Sequence, residues 1–229
     1  MDLLEYQGKQ LFAEFNVPVP VGKPATTVDQ AVAAANDIGF PAVVKAQVQV
    51  GGRGKAGGIK VANNQDEARE YADAILGMDI KGHIVHELWI EEASDIAAEY
   101  YAAIVFDRGA KAPLMMLSRM GGMDVEEIAD KDPAAIARLH IDPLIGYQDF
   151  HGRRLAFAAG IDRDVVNQVV ALLRRLYDTF TGCDAMLVEV NPLIVSGDEK
   201  KTVKALDAKV TIDDNSLFRH EKIAAFRNP

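Results

Sequence analysis

The chain has 229 residues, 49% of them hydrophobic and 26% charged, enough to bury a full apolar core as one large domain or two lobes. Its formal net charge of −9 argues against nucleic acid or an anionic membrane as the main partner. A single cysteine, Cys183, excludes an internal disulfide and a thiolate zinc site; with an acidic start unlike a secretory signal and no apolar run of membrane-spanning length, the expected location is the cytoplasm.

Leu3, Leu4, Leu11, Phe12 and Phe15 recur at helical spacing, with Asp2 and Glu5 placed as a capping box, so an opening helix is predicted that stops at Asn16. Residues 17–22 must be extended, because Pro18 and Pro20 each bias the preceding residue away from helix. Thr27, with Gln30 three later, starts a second helix closed by Gly39. A β-branched strand at 43–48 then feeds a loop at 51–58 and a second short strand at 59–61. Asn63 or Asn64 caps a third helix with Ala68, Tyr71, Ala72, Ile75 and Leu76 on one face, ended by Gly77. Residues 84–90 read as a strand carrying the only tryptophan, Trp89, so that residues 20–90 form a compact α/β lobe.

From Glu99 to Asp107 the pattern alternates, with Tyr100, Ala102, Ile104 and Phe106 on one face, and a turn leads to a partner strand at 113–118. Short helices are predicted at 124–129 and 132–139, and an irregular stretch at 140–152 in which His140 and His151 are surface residues. A long helix from about Arg163 to Thr181, capped by Asp162, stripes Val166, Val169, Val170, Leu173, Leu176 and Phe180 into a core. Residues 185–195 and 202–212 read as an antiparallel pair, and 215–229 as a tail.

Two stretches carry chemistry. The loop at 51–58 holds five glycines with Arg53 and Lys55, and glycine lets successive backbone N–H groups point at one anion. Lys45 sits inside the apolar strand before it, where a buried cation needs an anionic partner, and a phosphate supplies one. No Walker loop is present, since Gly54-Lys55 is followed by Ala56 and a strand. Farther on, Glu189 and Asn191 lie two apart on one strand face, with Asp207 of the returning strand approximately opposite Asn191. These hard oxygen donors suit magnesium that also holds phosphate oxygens and water, or else surface ion pairs such as Asp207 with Lys209. Glu99, at the mouth of a buried strand, suits a ribose hydroxyl as well as it suits water. Five scattered histidines give no zinc spacing.

The opening Leu-x-Glu-Tyr-Gln-x-Lys-Gln-Leu-Phe block, which includes Leu4 and Glu5 to Phe12, Val-Val-Lys-Ala-Gln-Val at 43–48, Gly-Gly-Arg-Gly-Lys-Ala-Gly-Gly at 51–58, Glu-Ala-Ser-Asp-Ile-Ala at 92–97 and Val-Glu-Val-Asn-Pro-Leu at 188–193 together resemble the β subunits of ADP-forming succinyl-CoA synthetases. The resemblance spans the whole chain and implies an α/β (α+β) ATP-grasp fold, with a nucleotide between a smaller lobe at about 21–98 and a larger one of about 1–20 plus 99–229. It implies that Lys45, Gly52, Arg53 and Gly54 hold phosphates, that Glu91, Ser94 and Glu99 hold the adenine and ribose side, and that Asn191 and Asp207, with Glu189 as a further candidate, hold Mg2+. The implied reaction joins succinate to CoA at the expense of ATP, leaving ADP, through a phosphorylated histidine on a separate α subunit; no catalytic residue is expected in this chain. Malate-CoA ligase β subunits are the nearest alternative, and a non-catalytic nucleotide-binding scaffold is another. Such β subunits continue into a flavodoxin-like domain, so the chain is expected to be an incomplete fragment. Pro20 inclines the resemblance to ATP. Met120 stands where relatives usually have Glu, and Ala208 and Asp214 where they have glycines.

Overall fold

The computed structural model describes residues 1–227. The chain divides into a smaller unit, Leu4–Tyr6 with Pro20–Ser94, and a larger one, Met1–Leu3 with Gln7–Val19 and the chain from Asp95 on. The helix α1 (Glu5–Glu14) therefore gives its first two residues to the smaller unit and the rest to the larger. It starts at Glu5, so Asp2 lies too far ahead to cap it and the expected capping box is not what begins it. The Asp2 carboxylate accepts from the Thr211 hydroxyl instead, at 2.6 Å.

In the smaller unit, β1 (Gly22–Ala25), α2 (Val28–Ile38), β2 (Ala42–Ala46), β3 (Ile59–Ala62), α3 (Gln65–Ile75), the small hairpin β4 (Asp79–Ile80) and β5 (His83–Ile84), and β6 (Leu88–Glu92) follow in order. Four strands form an antiparallel sheet ordered β1-β6-β2-β3. Thr27 caps α2 by accepting from the Gln30 N–H, and Asn64 caps α3 by accepting from the Glu67 N–H, as local sequence requires. The single strand expected at 84–90 is broken: Ile84 pairs with Asp79, and the sheet strand begins at Leu88. Ala31, Ala34 and Ala35 of α2 and Ala68, Ala72 and Ile75 of α3 bury against Ala42, Val44, Ala46, Leu88 and Ile90. Strand alternation then turns Lys45, Trp89 and Glu91 to the other face of the sheet.

In the larger unit, β7 (Ile96–Asp107), β8 (Ala112–Ser118), α4 (Val125–Lys131), β9 (Ile136–His140), α5 (Asp149–Ala158), α6 (Val166–Gly182), β10 (Ala185–Ser196), β11 (Val203–Ala205) and β12 (Lys209–Ile212) follow. The antiparallel sheet runs β11-β10-β7-β8-β9, with β12 also on β10. Its core face, with Ala102, Ile104, Met115, Leu117, Val188, Val190 and Val210, packs with Leu155, Val169, Val170, Leu173 and Leu176 of α5 and α6 and with Leu11 and Phe12 of α1.

Four expectations are corrected here. The helix expected at 132–139 is a 3-10 turn at Pro133–Ala135 followed by β9, whose Ile136 and Ala137 pair with Ser118 and Leu117; sheet pairing overrides local propensity. The irregular stretch 140–152 ends in α5, whose capping box joins Gln148 and His151. Asp162 does not cap α6, which begins at Val166; its carboxylate accepts from the Tyr100 hydroxyl at 2.8 Å. The expected tail folds through residue 224 as a 3-10 helix, Asp214–Arg219, and α7 (Glu221–Ala224), anchored by Arg219 and His220 on the Asp184 carboxylate at 2.7 and 2.6 Å.

Candidate functional site

Each unit carries polar residues on the sheet face opposite its main packing helices, α2 and α3 in the smaller unit and α5 and α6 in the larger. In the smaller unit that face is covered by Leu4–Tyr6. Tyr6 stacks on Trp89, with ring centroids 5.9 Å apart and 17° between planes. The Lys45 ammonium lies 3.1 Å from Glu5 Oε1 and is also ion-paired to Glu91. Arg53 Nη1 donates to Glu5 Oε2 at 2.5 Å and to the Ala46 carbonyl at 3.0 Å. Trp89 Nε1 donates to Glu91 Oε2 at 2.7 Å. All four charged side chains are buried, Glu91 completely. Two cations and two carboxylates thus neutralise one another inside the unit, as burial requires.

The anionic partner that burial of Lys45 calls for is present within the same unit, as Glu5 and Glu91, beside the phosphate expected from the sequence. In the glycine loop, the N–H groups of Ala56, Gly57 and Gly58 donate to the carbonyls of Gly52, Gly54 and Arg53 at 3.1, 3.1 and 2.9 Å, so they tie the loop to itself and do not converge on an outside anion. Gly52 and Gly57 have φ of +82° and +84°, which a side chain rarely adopts. At Gly58 a Cβ would lie 2.7 Å from Ile80 Cδ1. The loop holds Arg53 inward while Gly52, Gly54 and Lys55 are exposed. After β6, the Ser94 hydroxyl is buried with no hydrogen-bond partner among the described residues, an orphaned polar group that a ligand atom would satisfy.

In the larger unit, the pairs Glu189↔Lys209 and Leu193↔Ala205 flank residues 206–208, so Asn191 falls opposite Asp207. The returning strand is interrupted there, and Asp207 sits in the break between β11 and β12. Glu189 shares that face with Asn191 and lies opposite Ala103; its carboxylate accepts from the Tyr101 hydroxyl at 3.4 Å. Burial first, and then the nearby Asp207 charge, push the Glu189 carboxyl above its ordinary value, while Lys209 opposes them. Burial also raises the Tyr101 hydroxyl, reinforced by Glu189.

Asn191 additionally ties down the loop after β8. Its Oδ1 accepts from the Gly122 N–H at 2.8 Å and its Nδ2 donates to the Met123 carbonyl at 2.7 Å. Both glycines of that loop are needed: a Cβ at Gly121 would lie 2.4–2.6 Å from the Tyr100 backbone, and one at Gly122 2.6 Å from Glu99 Oε2. Glu99, Gly122 and Asn191 are therefore brought together. The donor set fits a hard divalent cation, because Asn191 and Asp207 offer oxygen donors from paired strands and Asn191 Oδ1 retains a second lone pair. Among the described residues no cluster of three or more His, Cys, Asp or Glu could hold a metal alone. A cation at Asn191 and Asp207 would complete its shell with water and ligand oxygens, the usual habit of magnesium.

Sequence reasoning missed Glu5 and Tyr101. Glu5 enters the sequence reading only as a capping-box candidate and a member of the opening block, and its partners are 40 and 48 residues away. Tyr101 was findable, since alternation along β7 places it on the face opposite Tyr100 and Ala102. Of the residues that differ from the expected pattern, Ala208 is buried against α1, where a Cβ on Gly8 would approach its own Cβ to 3.1 Å. Among the described residues no helix is long and apolar enough to cross a membrane.

The family model for the ATP-grasp domain matches residues 2–195. The chain is 52% identical over 220 residues to the succinate-CoA ligase [ADP-forming] subunit β of Natronomonas pharaonis, covering 96% of this chain and 57% of that protein. It is 48% identical to the one from Rubrobacter xylanophilus, over 100% of this chain and 59% of that protein. A GDP-forming β subunit from Thermus thermophilus is 46% identical over 99% of this chain and 59% of its own length. The chain thus spans less than two thirds of the length of these curated relatives. Among solved structures, the dinucleotide-forming acetyl-coenzyme A synthetase 1 of Ca. Korarchaeum cryptofilum, in complex with coenzyme A, Ca-AMPCP and HgCl+, matches with TM-score 0.76 at 19% identity, covering 93% of each chain. ATP citrate lyase from Methanothrix soehngenii matches with TM-score 0.75 at 21% identity, over 100% of this chain and 57% of that one. These structural likenesses speak for the fold, and with a family model that runs through most of the sequence, this chain belongs to the ATP-grasp family.

Proposed function

We propose that the chain is the nucleotide-binding part of a succinate-CoA ligase β subunit that binds Mg-ATP and passes the γ-phosphoryl group to a histidine of an α subunit. The whole reaction is then ATP + succinate + CoA = ADP + phosphate + succinyl-CoA, a step of the tricarboxylic acid cycle in the cytoplasm. The observation that carries this reading is the pair of buried cations, Lys45 and Arg53, set around a glycine-rich loop in a chain 46–52% identical to such β subunits. Lys45, Gly52, Arg53 and Gly54 would hold phosphate oxygens through charge-assisted bonds. Glu91, Ser94 and Glu99 would meet the adenine and ribose, and the unsatisfied Ser94 hydroxyl supports that role. Asn191 and Asp207, with Glu189 beside them, would hold magnesium, which neutralises charge on the phosphates when bound. Relatives of both ADP- and GDP-forming kinds exist, and ATP is taken as the substrate.

Calorimetry of the chain with Mg-ATP tests the assignment. Asp207→Ala and Lys45→Ala should each weaken binding by about tenfold or more, ~1.4 kcal/mol. Lys45 neutralises buried carboxylates, so its loss also destabilises the fold; Lys45→Arg keeps the charge with a different reach and should also weaken binding. Wild-type affinity in Asp207→Ala and Lys45→Arg together refutes the site. With an α subunit added to the complete β chain, turnover on succinate should exceed that on malate, and the reverse would reassign the acid.

A further inference from the structure

Glu5 lies outside the glycine loop and the strands that carry the candidate site residues, yet it is the group on which two cations of the smaller unit, Lys45 and Arg53, converge. Its carboxylate is 2% exposed and divides its oxygens: Oε1 faces Lys45 Nζ at 3.1 Å, and Oε2 accepts from Arg53 Nη1 at 2.5 Å. Gln47 Nε2 also approaches Oε2 at 3.4 Å, while Gln47 Oε1 accepts from the Tyr6 N–H at 3.1 Å. The turn that carries Glu5 is thereby tied to the strand end that carries Lys45. Tyr6, the next residue, is stacked on Trp89, whose indole donates to Glu91, the second carboxylate on Lys45. Each neighbour of Glu5 is thus itself held.

We propose that Glu5 is a positioning residue that aims Lys45 and Arg53 at the phosphates of the bound nucleotide, an inference that rests on the Mg-ATP reading above. Lysine is a point charge on a flexible four-carbon stem, and arginine has a comparably mobile one. Ordering either on binding consumes affinity, and a buried anchor that orders both beforehand removes that cost. One carboxylate with one oxygen for each cation fixes their separation, which a pair of independent surface ion pairs would not do. The chemistry recognised is a polyphosphate chain, since two fixed cations match successive phosphate groups and offer nothing to a nucleoside.

A buried ion pair also has a purely structural role, and the test must separate the two. Binding of Mg-ATP by calorimetry and of adenosine by saturation-transfer NMR is compared in wild type, Glu5→Gln, Glu5→Asp and the control Asp207→Ala. Glu5→Gln should weaken Mg-ATP by about tenfold, ~1.4 kcal/mol, with adenosine unchanged, and Glu5→Asp should recover part of the loss. Should Glu5→Gln fail to fold, Glu5→Asp carries the test with a smaller loss confined to Mg-ATP. Equal losses for both ligands would overturn the proposal in favour of a structural role. Unchanged or tighter Mg-ATP binding in the Glu5 variants would overturn it too, by showing that the carboxylate only competes with phosphate. In both cases a weakened Asp207→Ala leaves the nucleotide reading standing, whereas wild-type binding by Asp207→Ala condemns that reading itself.

Discussion

Gly22→Ala puts the packing under Lys45 and Glu91 to the test. In β1, Gly22 pairs with Glu91, and a Cβ there would lie 2.2 Å from Trp89 Cζ2, 2.3 Å from Cε2 and 2.8 Å from Nε1. The indole cannot simply retreat, because Tyr6 stacks on it and its Nε1–H is bonded to the buried Glu91 carboxylate. Overpacking of this kind costs about 1–3 kcal/mol. Loss of a hydrogen bond to a charged group adds about 1.5–3 kcal/mol. The stiffer unfolded chain returns roughly 0.4–1 kcal/mol, so a net loss of about 3 kcal/mol is the central expectation. For a chain of this size that lowers Tm by roughly 6–12 °C. Trp89 is the only tryptophan and is 5% exposed, so its emission reports the event locally and should shift to the red. In a Trp89→Leu background the added methyl should cost far less, because the clashing ring atoms are gone. A Gly22→Ala protein with native emission and an unchanged Tm would refute the account of this face.

Two further expectations concern the larger unit. Glu189 is raised above 4.5, so between that pH and its folded value the native state keeps a proton that the unfolded chain has released; stability therefore falls as pH rises through the window. Glu189→Gln should match wild type in Tm below about pH 4 and exceed it increasingly toward neutrality, and a variant less stable than wild type at pH 7 would contradict this. Gly8→Ala should gain roughly 1 kcal/mol of helix propensity yet be neutral or destabilising, because the new methyl meets Ala208 Cβ at 3.1 Å and Val210 Cγ2 at 3.3 Å. In an Ala208→Gly background the same change should become stabilising, and a thermal-melt cycle showing no coupling would dismiss the contact.

What the sequence makes legible is what local chemistry decides. Thr27 and Asn64 cap their helices because the cap is settled within three residues. Asn191 faces Asp207 because residues on an antiparallel pair can be counted from the turn. Where partners are remote, the same reasoning goes astray. Ile136 and Ala137 join a strand because Ser118 and Leu117 offer an edge to pair with, although their neighbours read as helix. In α5 the helical period is hidden because Phe150 and Phe157 point outward, 55% and 65% exposed, so apolar residues fall on both faces. Lys45 announces that it needs an anion, and nothing near it in the sequence says that Glu5 supplies one.

The two units also differ in how their charges are balanced, and this gives the proposed ligand its form. Around Lys45 the cations are matched by carboxylates, so the smaller unit presents an ordered but compensated cluster. Around Asn191, Lys209 acts on Glu189 as a favourable cation, while Asp207 and Glu126 act on it as repelling charges. A polyphosphate approaching that face without a metal would add to the repulsion, whereas one carrying a divalent ion would relieve it. If the proposed function holds, a metal requirement and a phosphate clamp should separate by variant. Asp207→Ala should make ATP affinity nearly independent of magnesium, and Glu5→Gln should lower it at every magnesium concentration while preserving the dependence. If both variants showed the same magnesium profile, the division of labour argued from these two faces would fail.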